Sequence, residues 1–298
     1  MQYRPLGPTG LSTSVVGIGT WQLGGEWGID YVQSQVDDIL DAAEACGINF
    51  IDTAECYGDH TAERLIGDYL VRHDRSRWIV ASKFGHHFDG FLKRRDDFSA
   101  ADVRAQLDAS LRALRAETID LYQFHSGPDG AFDNDELWTM LHAEQRAGKI
   151  RHLGASLNKS TMHQANWSAH RGIKVIQVIH NRLDRRAEEL HFPFAARDGL
   201  GVLARVPLAS GLLSGKYQSG ATFPENDVRS RTRPEIMQRE LLDVERIRRD
   251  EVPHGISMSE WAIAWCLRNP LVSAVIPGCK NAGQVRGNAA AADIVLLD

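Results

Sequence analysis

The chain predicts a parallel (β/α)8 barrel of the TIM type, preceded by an N-terminal β-hairpin. Three observations lead there. Eight short apolar runs of five or six residues recur along the chain, each followed by at least one segment of helical periodicity. That alternation is the pattern of a parallel sheet whose crossovers are helices. The 298 residues match the size of one such barrel. A doubly wound sheet would instead want G-x-G-x-x-G after an early strand, and Gly17-Ile-Gly19-Thr-Trp-Gln lacks the third glycine.

In chain order, Tyr3 to Val16 reads as two short extended pieces around the turn signal Gly7-Pro8-Thr9-Gly10. Val15–Gly19 is the first barrel strand. Gln33–Cys46 carries Val36, Ile39, Leu40 and Ala43 at helical spacing, and Gly47 stops it. Strand and helix then alternate: Ile48–Asp52 with Thr61–Val71, Trp78–Lys83 with Ala100–Leu114, Ile119–Phe124 with Asp133–Ala147. Next come Ile150–Ala155 with Lys159–Ala169, and Lys174–Ile179 with Ala187–Ala196. Strand Gly201–Arg205 leads into an irregular stretch, Ser210–Pro234, too long for an ordinary connection and of the kind that forms functional lids. Helices Glu235–Asp250 and Met258–Leu267 follow, the second with a Ser257/Glu260 capping box. Strand Val272–Ile276 and helix Ala282–Ala291 finish the pattern. No composition shift marks a second domain, so residues 1–298 are expected to form one.

A hydrophobic content of 43% can fill such a core. The formal net charge of -5 gives no basic footprint, so nucleic acid is not an expected partner. Cys46, Cys56, Cys266 and Cys279 contain no C-x-x-C pair, which indicates neither a disulfide framework nor a zinc site. The polar Met1–Gly10 segment has no signal-peptide core and no apolar run has membrane-spanning length. A cytoplasmic location and no membrane partner are therefore expected.

In a barrel of this kind the chemistry gathers at the C-terminal ends of the strands. The second strand ends in Asp52, with Tyr57 on its loop; the third ends in Lys83; the fourth runs into His125. A phenol with a pKa near about 10 is a weak acid, and a neighbouring ammonium favours its phenolate. Lys83 can supply that charge, Asp52 can hold Lys83 charged, and His125 can donate to a carbonyl oxygen. Such a set stabilises an oxyanion and protonates it. No activated serine or cysteine is evident, so the nucleophile must come from elsewhere, and hydride from a cofactor fits. Singly, each residue also reads blandly: an aspartate as a cap, a lysine as a surface group, a histidine as a satisfied hydrogen-bonding side chain. Cys56 reads as a packed thiol, and His86-His87 does not have metal-ligand spacing; no metal is expected.

Asp52-Thr-Ala-Glu-Cys-Tyr57-Gly58, Ala81-Ser-Lys83 and Gln123-Phe-His125 resemble the catalytic segments of the aldo-keto reductases, and the likeness runs from Gly17 to Asn288. The resemblance implies a TIM barrel opened by an N-terminal hairpin, a small-molecule carbonyl substrate and NADP(H). It implies Tyr57 as general acid, Lys83 and Asp52 as the groups that tune it, and His125 as the group that orients the carbonyl. It also implies cofactor contacts from Thr20, Trp21, Asp52, Ser156 and Gln177. Pro207, Leu208, Ala209, Ser210, Gly211 and Lys216 match the pyrophosphate loop, and Gly278, Lys280, Gln284 and Asn288 the 2′-phosphate and adenine segment. The chain departs from the family at Leu157, where many members have asparagine, and at Arg205, where many carry an aromatic residue. A guanidinium there can stack on the nicotinamide and disfavour its cationic, oxidised form.

One or more of Arg229, Arg231 and Arg233 are expected over the pyrophosphate, and Trp21, Trp27, His86, His87 and Phe88 around the substrate. A second reading from the same resemblance is a cofactor-bound regulatory subunit like the potassium-channel β subunits. A third is oxidation of a polyol or sugar in the reverse direction. The sequence leaves the natural substrate and the oligomeric state open.

Overall fold

The computed structural model describes residues 1–296. Strands β1 (Tyr3–Pro5) and β2 (Ser12–Ser14) form the antiparallel hairpin, joined by a 3-10 turn at Gly7–Thr9. An eight-stranded parallel sheet follows: β3 (Ile18–Gly19), β4 (Phe50–Asp52), β5 (Ile79–Phe84), β8 (Ile119–His125), β9 (Ile150–Ser156), β10 (Val175–Ile179), β11 (Gly201–Arg205) and β12 (Val272–Ile276). Its two edges meet through parallel bridges at Val16–Val275 and Gly19–Gly278, which closes the barrel. At the mouth end of the seam the pair is two glycines because the backbones crowd there: a Cβ on Gly19 would stand 2.7 Å from the Ile276 carbonyl oxygen.

Inside the barrel, Phe50, Leu121, Val175 and Ala274 belong to one apolar cluster, and all four come from alternate strands. This is the layered filling expected of such a barrel. Two residues further along the same strands, and so on the same face, stand Asp52, Gln123, Gln177 and Ile276. Ile276 still belongs to the apolar cluster, but on the other three strands the apolar fill gives way to a polar layer of Asp52, Gln123 and Gln177 at the C-terminal mouth.

Leu6, fully buried, joins the apolar cluster from the hairpin and plugs the opposite end, a burial that contributes about 2 kcal/mol. Gly7 permits this approach. It has φ +56°, and a Cβ on it would lie 2.2 Å from the Gly201 amide nitrogen.

The outer layer is α1 (Gln33–Ala45), α2 (Thr61–Leu70), α3 (Ala100–Ala113), α4 (Asp129–Phe132), α5 (Asp135–Arg146), α6 (His163–Trp167), α7 (Ala187–Leu190), α8 (Phe192–Asp198), α9 (Pro234–Asp250), α10 (Met258–Leu267) and α11 (Ala282–Ala290). Several bounds differ from the sequence expectation for local reasons. Asn134 caps α5 by accepting from the Glu136 and Leu137 amides, so that helix starts at Asp135 and a separate turn, α4, precedes it. The helix expected at 187–196 is two pieces, with Pro193 in the first turn of α8, where its missing N–H costs nothing. The expected 159–169 helix shortens to α6 and a 3-10 turn at Ala169–Arg171.

An additional hairpin, β6 (His86–Phe88) with β7 (Arg94–Asp96), rises from the end of β5. The long stretch after β11 contains 3-10 turns at Ala209–Ser214 and Val228–Arg231. Leu212 and Leu213 pack into a separate apolar cluster with Met237, Leu241 and Val244 of α9 and Met258 and Trp261 of α10. Helix α9 is therefore the anchor of that loop. Among the described residues no helix is long and apolar enough to cross a membrane.

Candidate active site

The C-terminal mouth of the barrel opens into a cavity of about 790 Å³. Its floor is set by the strand ends. Asp52 closes β4, and the chain turns at once through Thr53–Gly58 to present Tyr57. Gly58 has φ +71°, and a Cβ there would lie 2.7 Å from the Gly24 carbonyl oxygen; a Cβ on Gly24 would in turn lie 2.5 Å from the Tyr57 carbonyl carbon. The two glycines let the loops after β3 and β4 pack backbone on backbone, which fixes where Tyr57 stands.

Lys83, fully buried, donates from Nζ to Asp52 Oδ2 (2.7 Å), the Thr53 carbonyl oxygen (2.9 Å) and Tyr57 Oη (3.1 Å). All three protons of the ammonium are thereby placed. Burial opposes the Lys83 charge, but Asp52 and Tyr57 outweigh it and raise its pKa. Burial raises the Tyr57 pKa, and the pull of Lys83 offsets this only in part. The pair is thus a charged lysine beside a protonated phenol. Sequence reasoning weighed the lysine alone and expected a lowered phenol; desolvation, visible only in the fold, reverses the net direction.

His125 meets Tyr57 edge-on, ring centroids 6.2 Å apart, and contacts His86 at 4.8 Å. Burial first, then the positive charges of Lys83 and its other neighbours, hold it well below the usual imidazole range, so it is neutral. Its Nδ1 faces the Cys56 sulfur at 3.8 Å. Burial pushes the Cys56 thiol up to about 11, which keeps it protonated and unreactive.

One side of the cavity is lined by Thr20, Trp21, Trp27, Tyr57, His86, Arg94 and His125. Trp21 lies roughly parallel to Tyr57 at 6.3 Å and edge-on to Trp27 at 5.4 Å. Glu26, buried, holds this side together: it accepts from Trp21 Nε1 (2.6 Å), from the Leu92 amide (2.7 Å) and from both Arg94 terminal nitrogens (2.5 and 3.0 Å). The β6–β7 hairpin is thus pinned to the loop after β3. His87 and Phe88 do not reach the cavity. His87 bridges Glu55 (3.2 Å) and Asp102 (2.5 Å), and Phe88 lies under Arg94.

A long arm of the cavity runs past Gln177, Arg205, Val206, Pro207, Leu208, Ser210, Gly211, Ser214 and Lys216 to Gly278, Lys280, Gln284 and Asn288. Val206, Ala209 and Ser210 all have positive φ (58°, 47° and 55°). Strain of this kind in non-glycine residues, severe for a branched valine, gathers at ligand-holding loops. Asn181 Nδ2 and the Ala209 amide both bind the Val206 carbonyl oxygen (3.0 and 2.9 Å) and hold the turn.

Arg229 covers this loop. It is paired to Asp227 and stacked on Phe223 (4.1 Å), Tyr217 (4.8 Å) and Trp27 (5.7 Å). Arg231 and Arg233 are not among the lining residues. Ser156 and Ala209 also stand outside the wall; Ser156 lies behind Gln177, its Oγ 3.4 Å from Gln177 Oε1.

At the far end Asn281 caps α11 by accepting from the Gln284 amide (3.0 Å), and Gln284 Oε1 accepts from the Lys280 amide (2.8 Å). A neighbouring groove shares Lys280, Asn281 and Gly283 and adds Arg286, facing Asp38 and Asp41 of α1. Sequence reasoning missed Gln22, Arg94, Tyr217, Ser259 and Arg286. Only Arg94 had a local signal, the Asp89-Gly90 turn that makes its hairpin.

The arm suits an extended anionic ligand with an aromatic end. Arg205 Nε and Asn288 Nδ2, both in its wall, are buried without a hydrogen-bond partner among the described residues. Buried donors in that state call for an acceptor.

The aldo/keto reductase family model matches residues 15–298. The chain belongs to the aldo/keto reductase family. It is 32% identical to the uncharacterized oxidoreductase YrpG of Bacillus subtilis, across 99% of this chain and 92% of that protein. It is 29% identical to the NADH-specific methylglyoxal reductase of Escherichia coli, across 100% of this chain and 95% of that protein. It is 27% identical to a probable voltage-gated potassium channel subunit beta of Arabidopsis thaliana, across 100% and 93%. Among solved structures, the holo form of aldo-keto reductase AKR11C1 from Bacillus halodurans superposes with a TM-score of 0.81 at 29% identity, covering 100% of this chain and 93% of that one. The glycerol dehydrogenase AKR11B4 from Gluconobacter oxydans gives 0.82 at 30%, covering 98% and 90%. This aldo-keto reductase is accordingly an oxidoreductase of the TIM-barrel type.

Proposed function

We propose that this aldo-keto reductase reduces aldehydes or ketones with NADPH, and that Tyr57 delivers the proton to the carbonyl oxygen. The observation that carries the reading is the Lys83 ammonium, ion-paired to Asp52 at 2.7 Å and hydrogen-bonded to Tyr57 Oη at 3.1 Å beneath an open cavity. Hydride is the chemistry a nicotinamide nucleotide supplies when bound. Gln177, backed by Ser156, and Arg205 would hold its nicotinamide end, and the 207–216 loop with Arg229 its pyrophosphate. Lys280 and Arg286 would hold the 2′-phosphate, with Asn288 and Gln284 at the adenine. The unpartnered Arg205 Nε and Asn288 Nδ2 fit that assignment.

The chain's own part is fourfold. The aromatic wall of Trp21 and Trp27 excludes water from the carbonyl. Neutral His125 donates a hydrogen bond to the carbonyl oxygen. Tyr57 then passes its proton to that oxygen as negative charge builds there. Lys83 stabilises the phenolate left behind, and Asp52 keeps Lys83 charged and fixed.

NADPH absorbance with a nitrobenzaldehyde as substrate tests the reading. Turnover should be lost in Tyr57→Phe with cofactor affinity retained. A cofactor-holding subunit is the second reading, motivated by the relative named as a channel subunit; an absence of turnover with any carbonyl compound, with NADPH still bound, would favour it. Lys280 and Arg286, two cations lining one groove, argue for NADPH, while the NADH-specific relative argues the other way. Comparing KM for the two nucleotides decides between them.

A further inference from the structure

The polar layer at the barrel mouth contains a side chain that the proton-delivery scheme leaves without a task. Gln123, fully buried on β8, lies between Asp52 and Gln177. Its Nε2 donates to Asp52 Oδ1 at 3.1 Å, and its Oε1 accepts from Gln177 Nε2 at 3.3 Å. Gln177 Nε2 also donates to the same Asp52 oxygen at 2.7 Å, and its own Oε1 faces Ser156 Oγ at 3.4 Å. Asp52 is thus divided: Oδ2 serves Lys83, and Oδ1 serves two amides.

We propose that Gln123 is a positioning residue that couples the Asp52–Lys83–Tyr57 proton chain to the Gln177–Ser156 edge of the nicotinamide cradle.

This coupling rests on the oxidoreductase reading above. An amide is the group this place requires. Asp52 Oδ1 needs donors, and Gln177 Nε2 needs an acceptor on its second proton; a buried amide offers both at opposite corners. A carboxylate there would offer no donor and would repel Asp52, and an aliphatic side chain would leave two polar partners underserved. By filling its acceptor side, Gln123 also fixes which way the Gln177 amide is turned, and so which of its atoms faces Ser156.

The fold makes room for this. Gln123 pairs in register with Lys83 on one side and Gly154 on the other. A Cβ on Gly154 would stand 2.9 Å from Gln123 Cγ and 2.9 Å from Leu121 Cδ1. Gly154 therefore serves space rather than backbone freedom: it leaves the gap in the barrel interior that Gln123 fills.

The test uses Gln123→Met, which keeps the length and removes both hydrogen bonds. Gln123→Glu can recover a donor only when protonated, and Gly154→Ala keeps the amide but displaces it. Affinities for NADPH and for 2′-phospho-ADP-ribose, which lacks nicotinamide, are read from tryptophan fluorescence, alongside kcat, KM and pH profiles. Gln123→Met should weaken NADPH by about tenfold, the worth of one or two buried hydrogen bonds, with 2′-phospho-ADP-ribose unchanged. It should also lower kcat at least as much and shift the pH profile. Gln123→Glu should recover activity as the pH falls, and Gly154→Ala should reproduce the Gln123→Met pattern.

Equal weakening of both nucleotides, or an unchanged pH profile and kcat in a folded Gln123→Met, would overturn the coupling while leaving the reductase reading intact. Should Gln123→Met not fold, the Gly154→Ala measurements decide by the same criteria. If the unmodified protein neither binds NADPH nor reduces a carbonyl, the underlying reading fails and the coupling with it.

Discussion

Lys83 and Asp52 form an ion pair of 2.7 Å with both side chains almost wholly buried, at 1% and 4% exposure. A buried charge is tolerable only while its partner remains. Lys83→Met should therefore destabilise the fold by about 3–5 kcal/mol by leaving Asp52 uncompensated. Adding Asp52→Asn should recover part of that loss. Urea denaturation of the two singles and the double gives the coupling, and strict additivity would show that the pair is not an energetic unit.

The pH dependence follows from the directions of two shifts. Tyr57 acts in reduction as the protonated phenol, and its pKa is raised above 10.0. His125 is held well below 6.5, so it stays neutral through the neutral range. The reductive kcat should hence be flat from about pH 6 to 9 and fall only in an alkaline limb, beyond the ordinary phenol value of about 10. The oxidative direction needs the phenolate and should rise with pH over the same span. A reductive rate that falls between pH 7 and 9 would contradict the burial argument.

His125 also bears on stability. Its folded-state pKa is depressed, so below the ordinary imidazole value the unfolded chain binds a proton that the folded chain refuses. His152, His180 and His191 are shifted the same way, chiefly by burial; His60, beside Glu63, is raised and opposes them. Four depressed imidazoles against one raised one predict that stability falls as the pH drops below about 6.5. Melting temperatures at pH 7.5 and 5.5 should show it, and His125→Asn should reduce the difference.

Arg205 stands at the end of β11 with Nε unpartnered among the described residues, while Asp52, the acid in the same cavity lining, is already committed to Lys83. A fixed cation there disfavours a second positive charge. Arg205→Ala should tighten NADP+ relative to NADPH by several-fold, an effect of about 1 kcal/mol. Calorimetric affinities for the two forms measure the ratio directly, and an unchanged ratio would remove Arg205 from any electronic role.

Lys280 and Arg286 face one groove at the start of α11. If they hold the 2′-phosphate, Lys280→Ala and Arg286→Ala should each raise KM for NADPH by about tenfold, the scale of one charge-assisted contact. KM for NADH should not move. A parallel rise for both nucleotides would place the two cations elsewhere in recognition.

Periodicity and residue type alone carried the barrel, its strand order along the chain, the capping box at Ser257 and the meeting of Asp52, Tyr57, Lys83 and His125. These are local or topological properties: a parallel strand with a helical crossover brings every strand end to one face, so residues at those ends converge whatever their separation in sequence. Other features existed only once the chain was packed. Burial, not the lysine, sets the net direction for Tyr57, because desolvation depends on everything that surrounds a group. His87 turned to Glu55 and Asp102, and Arg94 came to Glu26 from 68 positions away, since a charged side chain takes whichever partner the fold supplies. Gln123 stood in the sequence as the first residue of the Gln123-Phe-His125 segment, with no task of its own. Its place between Asp52 and Gln177 comes from the alternate-strand layering of a closed barrel, which joins residues 71 and 54 positions apart and has no trace in any single segment.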